Sequence, residues 1–278
     1  METAASAPNR SPLLAFGPLV AGLVSAGIGF GIGVLAVALV GSVLNRPSFE
    51  FEVSFTFGYV FALTGWLMGV GMWGRWAREW FGMPIKSEPT NWHRYLTFCR
   101  DHKVIGIQYM VTMLLLFLLG GLFAMIMRWH LMDANGGVLS NDAYNRIMSL
   151  HGIIMIAVAV ATILGGFGNY FVPIMIGARD MAFPRLNALS YWMLPPVAVL
   201  LLLAQAYGGW DSGWTAYAPL SVQNASGQLL FNLAIITFGL SSIFGGLNFL
   251  VTIITMRAPG MTLFRMPLLV WANFSTSL

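Results

Sequence analysis

The sequence predicts an all-α protein, a polytopic bundle of helices that cross a membrane. Hydrophobic residues make up 58% of the chain and charged residues only 9%, against roughly 25% charged residues in soluble domains. Several apolar runs reach the length of about 20 residues that a bilayer crossing requires. Polar residues collect between these runs. The pattern predicts six spans, within Phe16–Leu44, Val53–Trp73, Val104–Met127, Ile147–Val172, Leu186–Tyr207 and Leu229–Met256, and a seventh that starts near Met266.

The N-terminal part is predicted as a disordered segment, residues 1–12, followed by two transmembrane helices in residues 13–75. The run from Leu13 to Leu44 is too long for the core of a signal peptide, so we interpret it as a retained helix. Its dense glycines favour either close packing against a neighbour or a merely flexible anchor. The second span ends in tryptophans that suit the headgroup layer, namely Trp66, Trp73, Trp76 and Trp80.

Residues 76–103 are predicted as a basic cytoplasmic loop. The stretch that starts at Arg75 carries six basic residues: Arg75, Arg78, Lys86, Arg94, Arg100 and Lys103. His93 and His102 lie in the same loop, and we expect both to be solvated. The single cysteine, Cys99, allows no internal disulfide.

The distribution of basic residues predicts the orientation. With a cytoplasmic N-terminus, the cytoplasmic segments hold eleven of the fourteen lysines and arginines, and only Arg46, Arg128 and Arg146 fall outside. This bias is the positive-inside rule, and it explains the net charge of +4 without a nucleic-acid partner.

His151 is the one ionisable side chain between Arg146 and Arg179. An ionisable residue within an apolar span is costly, so a functional role is the first hypothesis. A histidine that simply bonds to a neighbouring helix is equally compatible with the spacing. His151 follows Arg146 by five residues, about 7 Å along a helix, so it lies near the outer end of its span.

Three segments carry a family resemblance: GGFGNYFVPIMIGARDMAFPRLNALSYW, GGWDSGWTAYAPLS and LNFLVTIITMRAPGMTLFRMPLLVWA. They closely resemble subunit I of the haem–copper terminal oxidases, which are cytochrome c and quinol oxidases. The resemblance runs from about Asp101 to the C-terminus. It implies that residues 104–278 are the N-terminal portion of a twelve-helix oxidase core, which here carries two extra N-terminal helices.

The resemblance implies that His151 is an axial ligand of a low-spin haem of a or b type. Arg128 then corresponds to an arginine at the haem periphery, although an arginine at the end of a helix ordinarily reaches for the headgroups. Tyr144, Trp214 and Tyr217 correspond to residues near the haem propionates, where interfacial aromatics would be the ordinary interpretation. His130 is exposed by position and receives no role.

The resemblance also implies a proton-entry pathway, with an aspartate at its mouth and small polar residues that order water. Asp180 matches the aspartate, and Arg179 and Arg185 beside it are expected to favour its ionised form. Taken singly, such small polar residues usually bond to the backbone or to a neighbouring helix. Ala188 replaces the second of a frequent asparagine pair. The matching pathway residues are Asn169, Asn187, Ser241, Ser242, Asn248 and, as a weaker member, Tyr109.

The whole enzyme of this family is an oxidoreductase that reduces O2 to water and moves protons. Its copper ligands, its high-spin haem ligand and the second axial ligand match nothing in this chain. We therefore expect an inactive fragment of the catalytic subunit, or a split subunit completed by another chain. The resemblance implies a bacterial-type inner membrane, oxidase subunits II and III as partners, and cytochrome c or quinol as electron donor.

Two other classes of function remain open. A non-enzymatic membrane transporter or assembly protein would use the polar helix residues without haem. A relative of the nitric oxide reductases would share the low-spin haem, but it typically lacks the context of Asp180.

Overall fold

The computed structural model describes residues 16–84, 91–134 and 137–278, with no side chains described for residues 157–163. The predicted disordered segment, residues 1–12, and residues 85–90 of the basic loop lie outside this description. The described residues are helical with no strand among them, so the prediction of an all-α membrane bundle is confirmed. Within the described ranges, five segments are long and apolar enough to cross a membrane: Gly17–Val43, Phe51–Gly69, His102–His130, Pro184–Ala206 and Ala225–Thr255.

The chain forms two compact units, Met1–Phe98 (unit 1) and Cys99–Leu278 (unit 2). In the described part of unit 1 the helices are α1 (Gly17–Val43), α2 (Phe51–Gly69) and α3 (Met72–Trp80), with a 3₁₀ turn at Trp92–Leu96.

Glycines bring α1 and α2 into close contact. A Cβ at Gly33 would lie 2.8 Å from the Cα of Gly58, and Cβ atoms at Gly29 and Gly65 would collide with backbone carbonyls of the opposite helix. Close backbone approach of this kind is how small residues join helices in a membrane. The packing interpretation of the glycine-rich first span is therefore confirmed.

The second predicted span is shorter than expected. Gly71 has a φ of +98°, a left-handed conformation that glycine adopts readily, and it separates α2 from α3. The predicted tryptophan cluster is therefore split, with Trp66 on α2 and the others on α3. Ring centroids lie 5.5 Å apart for Trp73 and Trp76 and 6.0 Å apart for Trp76 and Trp80.

Unit 2 contains α4 (His102–His130), α5 (Asn141–Ile153), α6 (Val160–Ile176), α7 (Pro184–Trp192), α8 (Leu194–Ala206), α9 (Ala225–Thr255) and α10 (Leu268–Thr276). A π turn, Ile154–Ala159, joins α5 to α6, so the predicted His151 span is a helix with an inserted π turn. The predicted fifth span is two helices that meet at Met193. Pro195 and Pro196 follow this break, and prolines interrupt helical hydrogen bonding to the preceding turn.

The spans of unit 2 pack side by side. α4 contacts α5, the π turn and α6, while α9 contacts α7 and α8, and α10 contacts α6 and α9. One buried apolar cluster lies between α6, α9, α10 and the loops beside them: Val172, Ile176, Met181, Phe249, Ile253, Met266 and Val270. This packing positions the candidate site residues at two ends of unit 2, one with His151 and the other with Asp180.

Candidate functional site

His151 is held by a backbone contact from the neighbouring span. Its Nδ1 lies 2.9 Å from the carbonyl oxygen of Gly120 on α4. Because a carbonyl oxygen only accepts hydrogen bonds, Nδ1 carries the proton, and in the neutral imidazole Nε2 keeps its lone pair. Metal-binding histidines are commonly oriented by such a bond from the other ring nitrogen. The half-buried imidazole therefore fits the role of a metal ligand through Nε2.

Three local features position His151 against Gly120 of α4: the cap of α5, the π turn that follows it, and the glycine itself. Ser140 caps α5, its Oγ accepting from the Ala143 N–H at 3.2 Å. The π turn begins three residues beyond His151, and π turns are frequent at functional sites. A Cβ at Gly120 would lie 2.6 Å from the Sδ of Met155, so the absent side chain lets α4 approach the π turn.

The structure places Tyr144 and Arg128 at the same end of unit 2 as His151. Tyr144 precedes His151 by seven residues, two helical turns, so both lie on one face of α5. Its ring centroid is 5.2 Å from that of His130, whose Nδ1 accepts from the Leu139 N–H at 3.2 Å. Arg128 lies exposed in the last turn of α4.

Trp214 and Tyr217 lie in the loop between α8 and α9, also at this end. Both are exposed, at 55% and 75% of their surface. The loop reaches α5 through Gly213, whose N–H donates to the Oγ of Ser149 at 3.1 Å. Trp214 directly follows Gly213, and Tyr217 comes three residues after Trp214. Ser149, which Gly213 contacts, precedes His151 by two residues.

The expectation that His102 is solvated is wrong. Its side chain is 4% exposed, and its Nδ1 lies 2.8 Å from the carbonyl oxygen of Asn169 on α6. His102 begins α4, and the packing of α6 against this end of α4 buries it. The other loop histidine, His93, is half-buried in the 3₁₀ turn of unit 1.

Asp180 lies half-buried in the loop between α6 and α7, beside the first turn of α4. Its carboxyl accepts from the Met181 N–H at 2.8 Å and from the backbone N–H of His102. Burial raises the pKa of Asp180, while these hydrogen bonds and the charge on His102 act in the opposite direction. The prediction that Arg179 and Arg185 favour the ionised form is therefore wrong, because burial dominates.

Two side chains of α9 hold the loop that follows Asp180. The Oγ1 of Thr252 accepts from the Ala182 N–H at 2.9 Å. Asn248 accepts from the Phe183 N–H at 2.9 Å and donates to the Phe183 carbonyl at 3.2 Å. Both amide atoms of Asn248 thus bind backbone, and this residue positions the loop.

A second polar cluster lies further along the spans and joins three helices. The Oγ of Ser190 donates to the Asn187 carbonyl at 2.9 Å and lies 2.9 Å from the Tyr109 hydroxyl, which is therefore the donor of that pair. The Oγ of Ser241 donates to the Ser190 carbonyl. Ser190 is at the centre of this cluster and was missed by the sequence analysis. Its spacing of three residues from Asn187 is the signal that places both on one helix face.

A cavity of about 150 Å³ adjoins this cluster. Its polar lining includes Tyr109, Asn169, Ser241 and Ser242. Asn169 is buried, and among the described residues its Oδ1 has no hydrogen-bond partner, nor has either amide atom of the fully buried Asn187. Buried polar atoms of this kind are normally satisfied by water when protein groups do not reach them. Four of the predicted pathway residues thus line polar space suited to water, whereas Asp180 and Asn248 lie at the loop between α6 and α7 and Asn187 adjoins the space through Ser190.

Comparison with known proteins places these residues in a family. The family model described as cytochrome C and quinol oxidase polypeptide I matches residues 104–278. Every candidate residue from Tyr109 to Asn248 falls within the matched range, whereas His102 lies just before it.

Individual relatives agree with that match. The chain is 50% identical over 198 residues to cytochrome c oxidase subunit 1 of Thermostichus vulcanus, covering 70% of this chain and 36% of the relative. It is 46% identical over 187 residues to cytochrome c oxidase subunit 1 of Synechocystis sp., covering 67% and 34%. It is 43% identical over 183 residues to a putative cytochrome c oxidase subunit 1-beta of Streptomyces coelicolor, covering 64% and 32%. The chain spans about a third of the length of these relatives.

Proposed function

The chain belongs to the cytochrome c and quinol oxidase polypeptide I family, and from that membership we propose that it forms part of the haem-binding catalytic subunit of a respiratory terminal oxidase. The relatives and the five apolar helices make it a multi-pass membrane protein. We further propose roles for individual residues at the two ends of unit 2.

The observation that carries the proposal is the orientation of His151. Its Nδ1–H donates to the Gly120 carbonyl, so Nε2 presents a lone pair at a half-buried position within an apolar span. Such a nitrogen would serve as one iron ligand of a low-spin haem of a or b type. When bound, the haem would supply single-electron transfer. We propose that the second ligand, the high-spin haem and the copper would be held by residues outside this chain.

The residues around His151 would hold the edge of the porphyrin. Arg128 carries guanidinium donors suited to a carboxylate or a formyl oxygen. Tyr144, Trp214 and Tyr217 would line the side of the propionates. Their common position at the His151 end supports this assignment, since Tyr144 shares a helix face with His151 and the Trp214 loop binds Ser149.

The residues at the Asp180 end would take up protons. The raised pKa of Asp180 lets its carboxyl exchange protons nearer to neutral pH than an ordinary aspartate does. From there, the water file would be ordered by polar atoms that the described residues leave without a protein partner and by hydroxyl groups. These are both amide atoms of Asn187, the Oδ1 of Asn169, and the hydroxyls of Tyr109, Ser190, Ser241 and Ser242. A path of neutral groups suits this role because a fixed charge would trap the proton.

The assembly follows from the same membership. The family implies association with other oxidase subunits, which we propose are subunits II and III, with cytochrome c or quinol as electron donor. We propose a bacterial inner membrane with the N-terminus and Asp180 on the cytoplasmic side. Electrons would then enter near the outer face and protons from the inner face.

The test is His151→Ala in the oxidase complex that contains this chain. We expect loss of the absorption bands of the low-spin haem and of one haem per complex by pyridine haemochrome analysis. His102→Ala is the matched control, because His102 makes the same kind of backbone contact at the other end of α4, and it should keep the haem bands. Low-spin bands that persist in His151→Ala would overturn the proposal.

A further inference from the structure

Arg146 and Asp211 form an ion pair that joins the His151 helix to the loop after α8. The Arg146 Nε lies 3.8 Å from the Asp211 Oδ1. One helical turn further, the Oγ of Ser149 accepts from the Gly213 N–H at 3.1 Å. Arg146 and Ser149 lie three residues apart on α5 and therefore share a face. Two successive contacts thus attach the loop 209–213 to this helix.

The other side of the same loop is attached to the start of α9. The Oγ of Ser212 donates to the Oε1 of Gln228 at 2.9 Å. Trp210, which is 1% exposed, places its ring 4.7 Å from that of Phe231. A Cβ at Gly227 would collide with the backbone of residue 209. The loop is therefore fixed between α5 and α9.

The ion pair is sheltered from solvent. The side chains of Arg146 and Asp211 are 35% and 21% exposed, but the two facing atoms are inaccessible to water and make no hydrogen bond with the described residues, so the contact between them is one of charge alone. Gly209, with a φ of +67°, lacks the Cβ that would lie 2.9 Å from the Arg146 methylenes, so the arginine stem lies against the loop backbone. Charges shielded in this way attract each other more strongly than a fully solvated pair.

We propose that Arg146 and Asp211 are positioning residues for the haem site. They clamp the loop that continues into Trp214 onto α5, about 7 Å along the helix from His151. The clamp would fix the loop relative to the axial histidine and thereby set the environment of the haem edge. The second half of this inference rests on the proposed function, whereas the clamp itself does not.

The clamp is tested by hydrogen–deuterium exchange of residues 207–217 in the oxidase complex in nanodiscs. Arg146→Ala and Asp211→Ala should each raise the exchange rate of this segment roughly threefold or more, because each breaks the same pair. Arg146→Asp combined with Asp211→Arg should restore protection. The control is Asp142→Ala, which removes an exposed carboxylate from the first turn of α5. Unchanged exchange in both single variants, or no recovery in the charge-swapped variant, overturns the clamp.

The haem role is tested by the midpoint potential of the low-spin haem in the same variants. If the pair acts by positioning, both single variants should shift the potential in the same direction, and the charge swap should bring it back. If the two charges act only through space, removing a cation and removing an anion shift it in opposite directions, which overturns the positioning role. A clamp confirmed by exchange in a complex without low-spin haem would overturn the proposed function and leave the clamp standing.

Discussion

Two positions on α4, its first residue and Gly120, make the same contact in different surroundings. At the first, His102 of α4 donates through Nδ1 to the Asn169 carbonyl of α6 at 2.8 Å. At the second, His151 of α5 donates through Nδ1 to the Gly120 carbonyl of α4 at 2.9 Å. His102 and Gly120 are eighteen residues apart, as are His151 and Asn169, so the contacts lie about 27 Å apart on an antiparallel pair.

The difference lies in what surrounds each imidazole. His102 is 4% exposed, and its backbone N–H binds the carboxyl of Asp180. His151 is half-buried next to apolar side chains, with Leu150 and Ile153 each 2% exposed. A bond from Nδ1 to a carbonyl therefore orients an imidazole without identifying it as a ligand. The neighbours of the other ring nitrogen decide the role.

The largest change is expected when a bulkier side chain displaces one of the two carbonyl contacts. In Gly120→Val the new side chain meets the Sδ of Met155 and the Cγ2 of Ile154, so α4 must move away from the π turn. We expect loss of the low-spin haem bands and a decrease of about 1–3 kcal/mol in the free energy of unfolding. Absorption spectra and thermal unfolding of the complex measure both.

The adjacent residue supplies a matched control. A Cβ at Gly121 would have no neighbour within 4 Å, so Gly121→Val should keep the haem bands and the stability. Equal effects of the two substitutions would show that the close approach at Gly120 is unrelated to the haem.

A second substitution tests whether proton uptake at the Asp180 end is separate from haem binding at the His151 end. Asp180→Asn keeps the shape of the side chain but cannot bind and release a proton at the mouth of the pathway. We expect proton uptake from the Asp180 side to fall roughly tenfold or more, with the haem bands intact. Uptake is followed with a pH indicator during turnover of the reconstituted complex. Asp142→Asn, at the His151 end, should have no effect, and normal uptake in Asp180→Asn would contradict the pathway.

The smallest expected effect concerns the pH dependence of stability. Because the folded pKa of Asp180 is raised above its ordinary value of 3.8, the folded state retains a proton that the unfolded chain has already released. The free energy of unfolding therefore decreases as the pH rises through that interval. As the pH rises above about 4, the Tm of the wild-type protein should fall slightly more than that of Asp180→Asn. Parallel Tm curves for the two proteins would show that burial of this carboxyl has no consequence for stability.

Sequence patterns predicted the parts of the fold that depend on local composition. The apolar runs indicated the spans, and the isolated ionisable side chain of His151 within one of them indicated a site. The same approach was wrong for His102, because its charged neighbours suggest solvent. Its burial comes from α6, which is some sixty residues away in the chain. Contacts of this range leave no mark on local composition.

The polar cluster shows the same limit. Tyr109, Asn187 and Ser241 were singled out through family resemblance, but Ser190 joins them through its hydroxyl and its carbonyl at once. A backbone acceptor is independent of residue type, so no sequence pattern predicts it. The clamp between Arg146 and Asp211 is likewise a contact between residues distant in the chain.

The paired histidine contacts also restrict how the two spans can slide. A shift of α4 by one helical turn, about 5.4 Å, would break both contacts together, since each span supplies one donor and one acceptor. The pair would therefore adapt to a thinner or thicker bilayer by tilting as a rigid unit rather than by changing its register.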